Sequence, residues 1–292
     1  MEYLSGTGRL KTRCVQAWGL HPRLMVFLPV LALLCGLVML PAAGCGREAS
    51  QQPPLCVAGS TSVQPFAEKL AEVYMHHFPH LRIDVQGGGS SAGIYATRQG
   101  AADLGASSRE LVAAEKDLVE IPIAWDGIAV IVHAANPLTN LSLDDLRAIF
   151  AGKITDWRQL GQRPHAIHLI TREEGSGTRN AFEELVMGKV EITPAALVQD
   201  SNGSVREIVA NDPNALGYIS VGLVDRRVKA LSIDGVSPTR EHLRQHSYKL
   251  VRRFLLVSRL PPRGPVKEFV DFVLSAKGQS LLEQEGLVGI AE

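Results

Sequence analysis

The sequence predicts an α/β protein, and three observations carry that prediction. Short apolar runs that suit buried strands alternate with segments whose apolar residues recur at helical spacing. Several strand-to-helix junctions are rich in glycine and hydroxyl residues. Composition is that of an ordinary globular chain, with 46% apolar and 21% charged residues. At 292 residues the chain has room for one large domain or two modest ones. Lys plus Arg equal Asp plus Glu at 30 each, so no global basic field draws in nucleic acid or an acidic membrane surface. Any anion the chain binds must be held by local geometry.

The first segment reads as an export signal. Lys11, Arg13 and Arg23 precede an uncharged apolar run, residues 24–40, and then Pro41-Ala42-Ala43-Gly44-Cys45. A basic region, an apolar region and small residues before a cleavage point make a secretory signal, here residues 1–44. Cys45 after Ala-Ala-Gly resembles the bacterial lipobox, in which the cysteine is lipidated and becomes the mature N-terminus. Ala42 stands where that pattern usually has Leu. The competing reading is a retained transmembrane anchor, since the run approaches spanning length. Both readings place the remainder outside the cytoplasmic membrane. Residues 45–54 are then a polar, Pro-rich tether. Cys14 and Cys35 fall in the signal and Cys45 carries the lipid, so Cys56 stands alone and no intramolecular disulfide is expected. No spacing of His, Cys, Asp or Glu suits a metal, and no cofactor motif is present.

The remaining elements follow in order. Residues 55–58 are a strand candidate, and Phe66, Leu70, Val73, Tyr74 and Phe78 mark a helix. Residues 81–85 and 128–132 are further strands. Leu143, Leu146, Ile149 and Phe150 form an amphipathic helix, with Ser142 and Asp145 as its capping box and Gly152 as its stop. A strand at 167–171 leads to a helix burying Phe182, Leu185 and Val186. Ser204 and Glu207 read as a second capping box. Another long apolar strand lies at 250–257, and Pro265 opens a last helix with Val266, Phe269, Val270 and Val273 inward. Sheets of this kind bind ligands beyond the carboxyl ends of their strands.

Four polar turns look alike. They are Gly59-Ser60-Thr61-Ser62, Gly87-Gly88-Gly89-Ser90-Ser91-Ala92-Gly93, Gly105-Ala106-Ser107-Ser108-Arg109, and Arg172-Glu173-Glu174-Gly175-Ser176-Gly177-Thr178. Helix N-termini carry free N–H groups and partial positive charge. Glycine lets the backbone approach an anion there, and Ser or Thr adds hydroxyl donors. Arg172 brings a planar, bidentate donor suited to tetrahedral oxyanions. Each turn alone is satisfied by an ordinary capping role. Four together, one with an embedded guanidinium, make a candidate anion pocket. Glu173 and Glu174 are either solvated helix-start carboxylates or the group that orients Arg172.

At these residues the chain resembles the phosphate-binding proteins of phosphate ABC importers, in their shorter lipoprotein form. The likeness runs from Val57-Ala58-Gly59-Ser60-Thr61-Ser62-Val63 through the glycine-rich turn, Ala102-Asp103-Leu104-Gly105-Ala106-Ser107-Ser108-Arg109 and Trp125-Asp126-Gly127-Ile128-Ala129-Val130. It continues through Ile149-Phe150-Ala151-Gly152-Lys153-Ile154-Thr155-Asp156-Trp157, the Arg172 turn and Asn214-Ala215-Leu216-Gly217-Tyr218-Ile219. The resemblance implies a two-lobed periplasmic-binding-protein fold of type 2, closing around inorganic phosphate and handing it to the importer's transmembrane subunits. It implies a monomer, anchored to the membrane by lipid, that performs no catalysis. Lobe 1 is expected from residues 55–134 plus 248–292, and lobe 2 from 135–247. Ser60, Thr61, Ser62 and Ser90 would supply donors from the first lobe, and Arg172, Ser176, Gly177 and Thr178 from the second. Ser108 falls where longer relatives place a carboxylate that accepts the ligand's own proton, a device that rejects fully ionised sulfate.

Two rivals remain at this point. Sulfate, molybdate or a phosphonate would suit the same fold, which does not fix function. Gly89-Ser90-Ser91-Ala92-Gly93 also satisfies the G-x-S-x-G pattern of serine hydrolases, with Ser91 as nominal nucleophile. A P-loop is not expected, because no G-K-[S/T] follows the glycines.

Overall fold

A computed structural model describes residues 53–290, so the expected export signal, Cys45 and most of the expected tether lie outside the described residues. The strands are β1 (Leu55–Gly59), β2 (Ile83–Gly87), β3 (Leu104–Ser107), β4 (Val119–His133), β5 (Asn140–Leu141) and β6 (His168–Arg172). They continue as β7 (Leu197–Gln199), β8 (Ala215–Ser220), β9 (Val228–Ala230), β10 (Ser232–Ile233), β11 (Val251–Ser258) and β12 (Val288–Gly289). The helices are α1 (Gln64–His77), α2 (Ser90–Gln99), α3 (Leu143–Phe150), α4 (Gly177–Phe182), α5 (Asn202–Asn211), α6 (Arg240–Arg244), α7 (Gly264–Leu274) and α8 (Ala276–Gln284).

The sheet order is β2-β1-β3-β11-β4-β8-β6-β7, and β4 belongs to both halves of it. Its first part, up to Gly127, pairs antiparallel with β11. From Ile128 onward it pairs instead with β8 and β9. One strand thus leaves the first lobe and enters the second without a break.

Both halves are covered on two faces, which explains why their central strands read as nearly continuous apolar runs. In β11, Phe254 and Leu256 point into a core with Val57, Phe66, Leu70, Leu104 and Phe269. Leu255 and Val257 point the other way, onto Ile94, Leu111 and Leu118. In β4, Ile128, Val130 and Val132 pack with Phe150, Phe182 and Tyr218, while Ala129 and Ile131 face Ile170, Val205 and Val209. Two sheets flanked by helices, joined through β4, make a two-lobed α/β molecule.

Several local expectations shift. β4 starts at Val119, nine residues before the predicted strand, because Glu120, Pro122 and Asp126 interrupt its apolar pattern. Gly105, Ala106 and Ser107 belong to β3 itself, so only Ser108 and Arg109 follow the strand. Arg172 is the last residue of β6 and not part of the turn. The second capping box is displaced: Ser201 caps α5 by accepting from the Ser204 amide, and Ser204 lies inside the helix. Pro265 does open a helix, but α8 follows α7, with Ser275 as its cap. Phe78 sits beyond the end of α1 and is exposed. The Ser142 cap is present, accepting from the Asp145 amide. Among the described residues no helix is long and apolar enough to cross a membrane.

Candidate functional site

The first wall is built by three chain segments at one end of the β1–β3 pair. Gly59 ends β1 at φ +143°, and a Cβ there would lie 2.2 Å from the Ala106 carbonyl oxygen. Only glycine permits that approach. The Ser60 amide then donates to the same carbonyl at 2.9 Å, and the chain turns through Thr61 and Ser62 into α1. Ser90 is the first residue of α2. Neither α1 nor α2 has a side-chain cap; the Gln64 amide that opens α1 donates to the Ser60 carbonyl at 2.9 Å, while among the described residues the Ser90 amide that opens α2 has no protein acceptor. Ser60 Oγ donates to Ser108 Oγ at 2.8 Å, and the Ser108 amide donates to Ser90 Oγ at 3.1 Å. Ser60, Ser62, Ser90 and Ser108 are all buried.

Arg172 forms the second wall, with only 1% of its surface exposed. Its Nε and Nη2 clamp the two carboxylate oxygens of Glu173 at 3.0 Å each. Nη2 also donates to the Asp200 carbonyl and, across the cleft, to Thr61 Oγ1, both at 3.1 Å. Glu173, not Glu174, therefore orients the guanidinium. Nη1 is buried with no hydrogen-bond partner. A rigid guanidinium with one unsatisfied buried donor is arranged for an oxygen acceptor.

The backbone of Arg172 is held as firmly. Its N–H donates to the Tyr218 hydroxyl at 3.4 Å, and its carbonyl accepts from Arg179 Nη1 at 2.9 Å. Tyr218 stacks on Phe182 with ring centroids 4.1 Å apart and bonds Thr171 Oγ1 at 2.8 Å. Burial pushes its phenol up to about 12, so it stays protonated at neutral pH. Ser176 caps α4, its Oγ accepting from the Arg179 amide at 3.3 Å, so that hydroxyl oxygen is engaged in the helix start.

The two walls touch. Ser62 Oγ and Thr178 Oγ1 are 2.7 Å apart, and the Ser91 amide donates to the Gly175 carbonyl at 3.1 Å. Gly177 abuts Ser90 and Ser108 so closely that a Cβ would overlap both hydroxyls. Among the described residues, the amides of Thr61, Ser90, Gly177 and Thr178 have no protein acceptor. All nine residues singled out by sequence thus line or brace one closed cleft, though Ser60 and Ser176 engage their hydroxyls inside their own lobes.

Sequence reasoning missed three side chains that reach this wall. Asn202 Nδ2 donates to Thr61 Oγ1 at 3.1 Å and Ser62 Oγ at 2.9 Å. Ser201-Asn202-Gly203-Ser204 is in fact a fifth polar turn entering a helix, a signal present in the chain. Arg252 and Asp126 form a buried ion pair below the cleft, with Arg252 Nη2 reaching Asp126 Oδ2 at 2.8 Å. Their signal is a charged residue inside each of two largely apolar strands, where Glu120 on β4 and Arg253 on β11 carry charge as well. Burial raises the Asp126 carboxyl and lowers the Arg252 guanidinium, each opposed by the attraction of the other.

Ser91 is no activated nucleophile. Its hydroxyl takes a hydrogen bond from Arg109 Nη2 at 3.2 Å, and a guanidinium cannot act as a general base. Among the described residues no group of His, Cys, Asp and Glu is placed to hold a metal.

Two α/β lobes sharing a strand and closing on a cleft of helix N-termini define a solute-binding protein. Residues 46–277 match the model of the PBP superfamily domain. The phosphate-binding protein PstS of Bacillus subtilis is 32% identical over 286 residues, covering 90% of this chain and 94% of that protein. A substrate-binding protein assigned to a phosphate ABC transporter from Clostridium perfringens, solved with bound phosphate, is 39% identical. It superposes with a TM-score of 0.79, covering 82% of this chain and all of that one. An ABC-type phosphate transport receptor from Vibrio cholerae has 37% identity and a TM-score of 0.68, covering 80% of this chain and 99% of that chain. The chain belongs to the PBP superfamily and, within it, to the PstS family of non-catalytic solute-binding proteins.

Proposed function

We propose that the protein captures inorganic phosphate by closing its two lobes and delivers it to the transmembrane subunits of an ABC importer. The observation that carries this reading is the buried Arg172 Nη1, which lacks a protein partner at the point where helix N-termini from both lobes meet. The Bacillus subtilis relative is named for phosphate and the Clostridium perfringens relative holds it, which supports the choice of ligand.

In this reading Arg172 grips the anion. Amides of Thr61, Ser90, Gly177 and Thr178 and hydroxyls of Thr61, Ser62, Ser90, Ser108 and Thr178 complete its shell. Ser60 acts through Ser108, and Ser176 acts by capping the helix that presents Gly177. Lobe 1 comprises residues 55–134 and 248–292 and lobe 2 residues 135–247, a division favoured by the change of partner along β4. The protein works outside the cytoplasmic membrane as a monomer, tethered there by lipid on Cys45.

A second reading, sulfate, is favoured by one feature: Ser108 stands where a proton-accepting carboxylate would exclude it. Isothermal titration against phosphate, sulfate and molybdate decides between them. Phosphate is expected to bind tightest, and tight sulfate binding with silent phosphate overturns the assignment. Mass measurement of the membrane-extracted protein tests the lipid on Cys45.

A further inference from the structure

The Asp126–Arg252 couple lies where β4 passes from one lobe to the other beside β11. Asp126 is fully buried and Arg252 is 6% exposed. Arg252 Nε and Nη2 donate to Asp126 Oδ2 at 3.0 and 2.8 Å, and Ser220 Oγ donates to Oδ1 at 2.7 Å. A buried pair is weak support for stability, because desolvation offsets its attraction. Beside the Val221 amide, which bonds Asp126, and the Phe254 ring, 5.2 Å from the Arg252 guanidinium, its other contacts lead to the cleft wall. Arg252 Nη1 donates to the Ser108 carbonyl at 3.2 Å, and Nη2 to Ser62 Oγ at 3.3 Å. The Ser220 amide donates to Asn202 Oδ1 at 3.1 Å, and Asn202 Nδ2 in turn donates to Ser62 Oγ.

These contacts fix the direction of a proton. Guanidinium and amide nitrogens donate and do not accept. Ser62 Oγ accepts from Arg252 and Asn202 together, which occupies both of its lone pairs. Its own proton must point away from them, toward Thr178 Oγ1 and the cleft. The contacts also fix the charge. Arg172 is matched by Glu173 and Arg252 by Asp126, so the formal charges around the site cancel. The Arg252–Asp126 couple stays neutral whichever partner holds the proton.

We propose that Arg252 and Asp126 are a positioning pair for the oxyanion site. Arg252 makes Ser62 an obligatory donor and ties down the Ser108 turn. Asp126 cancels the charge of Arg252, so that the cleft selects by hydrogen-bond geometry and not by ligand charge. The inference rests on the cleft being an oxyanion site, whichever oxyanion it takes.

Three variants test it by calorimetric titration with inorganic phosphate and with sulfate, beside thermal unfolding without ligand. In Asp126→Leu/Arg252→Met, apolar side chains of similar size replace the pair, and an unfolding midpoint at or above that of the unaltered protein is expected. Affinity should nevertheless fall about tenfold or more, the loss expected for a hydrogen bond to a charged group. Arg252→Lys keeps the charge pair if the double variant does not fold. A single ammonium cannot span Asp126, Ser62 and Ser108, so it too should weaken binding about tenfold. In Asp126→Asn the site gains a net positive charge, which attracts a dianion more than a monoanion. At slightly acid pH, where phosphate is largely the monoanion, the sulfate-to-phosphate affinity ratio should rise about tenfold. A purely structural pair would move stability and leave that ratio alone. Affinity within threefold of the unaltered protein in a folded double variant or in Arg252→Lys, or an unmoved ratio in Asp126→Asn, overturns the proposal. If the unaltered protein takes sulfate and not phosphate, the phosphate reading fails while the same variants, read with sulfate, still judge the pair. Binding of neither anion ends both.

Discussion

Gly177, at the start of α4, lies against Ser90, at the start of α2: a methyl group on Gly177 would stand 2.2 Å from the Ser90 hydroxyl oxygen. The two residues come from different lobes, so this contact exists only when the cleft is shut. Their approach brings two helix N-termini to one point, where partial positive charges from both act on the same ligand.

Gly177→Ala should therefore act as a wedge. Overpacking of this kind costs about 1–3 kcal/mol, and here the cost falls on closure and not on folding. Phosphate affinity is expected to fall about tenfold or more in calorimetry, with the unfolding midpoint of the unliganded protein little changed. Unaltered affinity would show that the lobes close without this contact.

Arg172→Lys should lose nearly as much as Arg172→Ala. An ammonium keeps the charge but cannot clamp both oxygens of Glu173 while reaching Thr61 and the ligand. A loss of about 2–5 kcal/mol in binding free energy is expected for removing a buried charged partner. Unchanged affinity in Arg172→Lys would remove the guanidinium from the account.

Tyr218 gives a pH dependence with a definite sign. Its phenol ionises near ~10 when the chain is unfolded, and the folded protein holds the proton to about 12. Between those values the unfolded state binds fewer protons, so stability falls as pH rises. Tyr218→Phe should lower stability at neutral pH by about 1–2 kcal/mol, since Thr171 and the Arg172 amide lose a partner. It should also flatten the alkaline fall, as followed by thermal unfolding across that range. A fall of equal steepness in the variant would assign the effect to other groups.

The cleft is legible in sequence where its chemistry is local. Gly59, Ser90 and Gly177 announce helix starts that a backbone can bring to an anion, and Arg172 stands out beside them. What composition cannot convey is which hydroxyls turn inward. Ser176 reads as a ligand donor and instead caps its own helix. Asn202 is hidden because Ser204, two residues on, makes an equally plausible cap. Asp126 and Arg252 are far apart in the chain, and each alone reads as a polar interruption of a strand. Only the antiparallel register of β4 and β11 sets them directly opposite one another.

Ser91→Ala should leave phosphate affinity within about twofold, a change comparable to a neutral surface substitution. The hydroxyl contacts Arg109 alone, and the cross-cleft bond at this residue is made by its backbone. Chromogenic ester turnover that depends on Ser91 would revive the hydrolase reading.

Ser142→Ala, remote from the cleft, should cost about 1 kcal/mol of stability by removing the cap of α3. Binding should stay unchanged, which makes the variant a control for losses of affinity caused by lowered stability.

The passage of β4 through both lobes governs how such a molecule can move. The strand runs on without interruption while its pairing passes from β11, ending at Gly127, to β8, beginning at Ile128. A joint made of paired backbone resists shear and sideways drift, and yields only to bending about a narrow waist. Closure of the lobes is accordingly expected to follow a single bending arc about this waist. Such a bend would return the facing hydroxyls and amides to the same register at each closure, with no search over relative orientations.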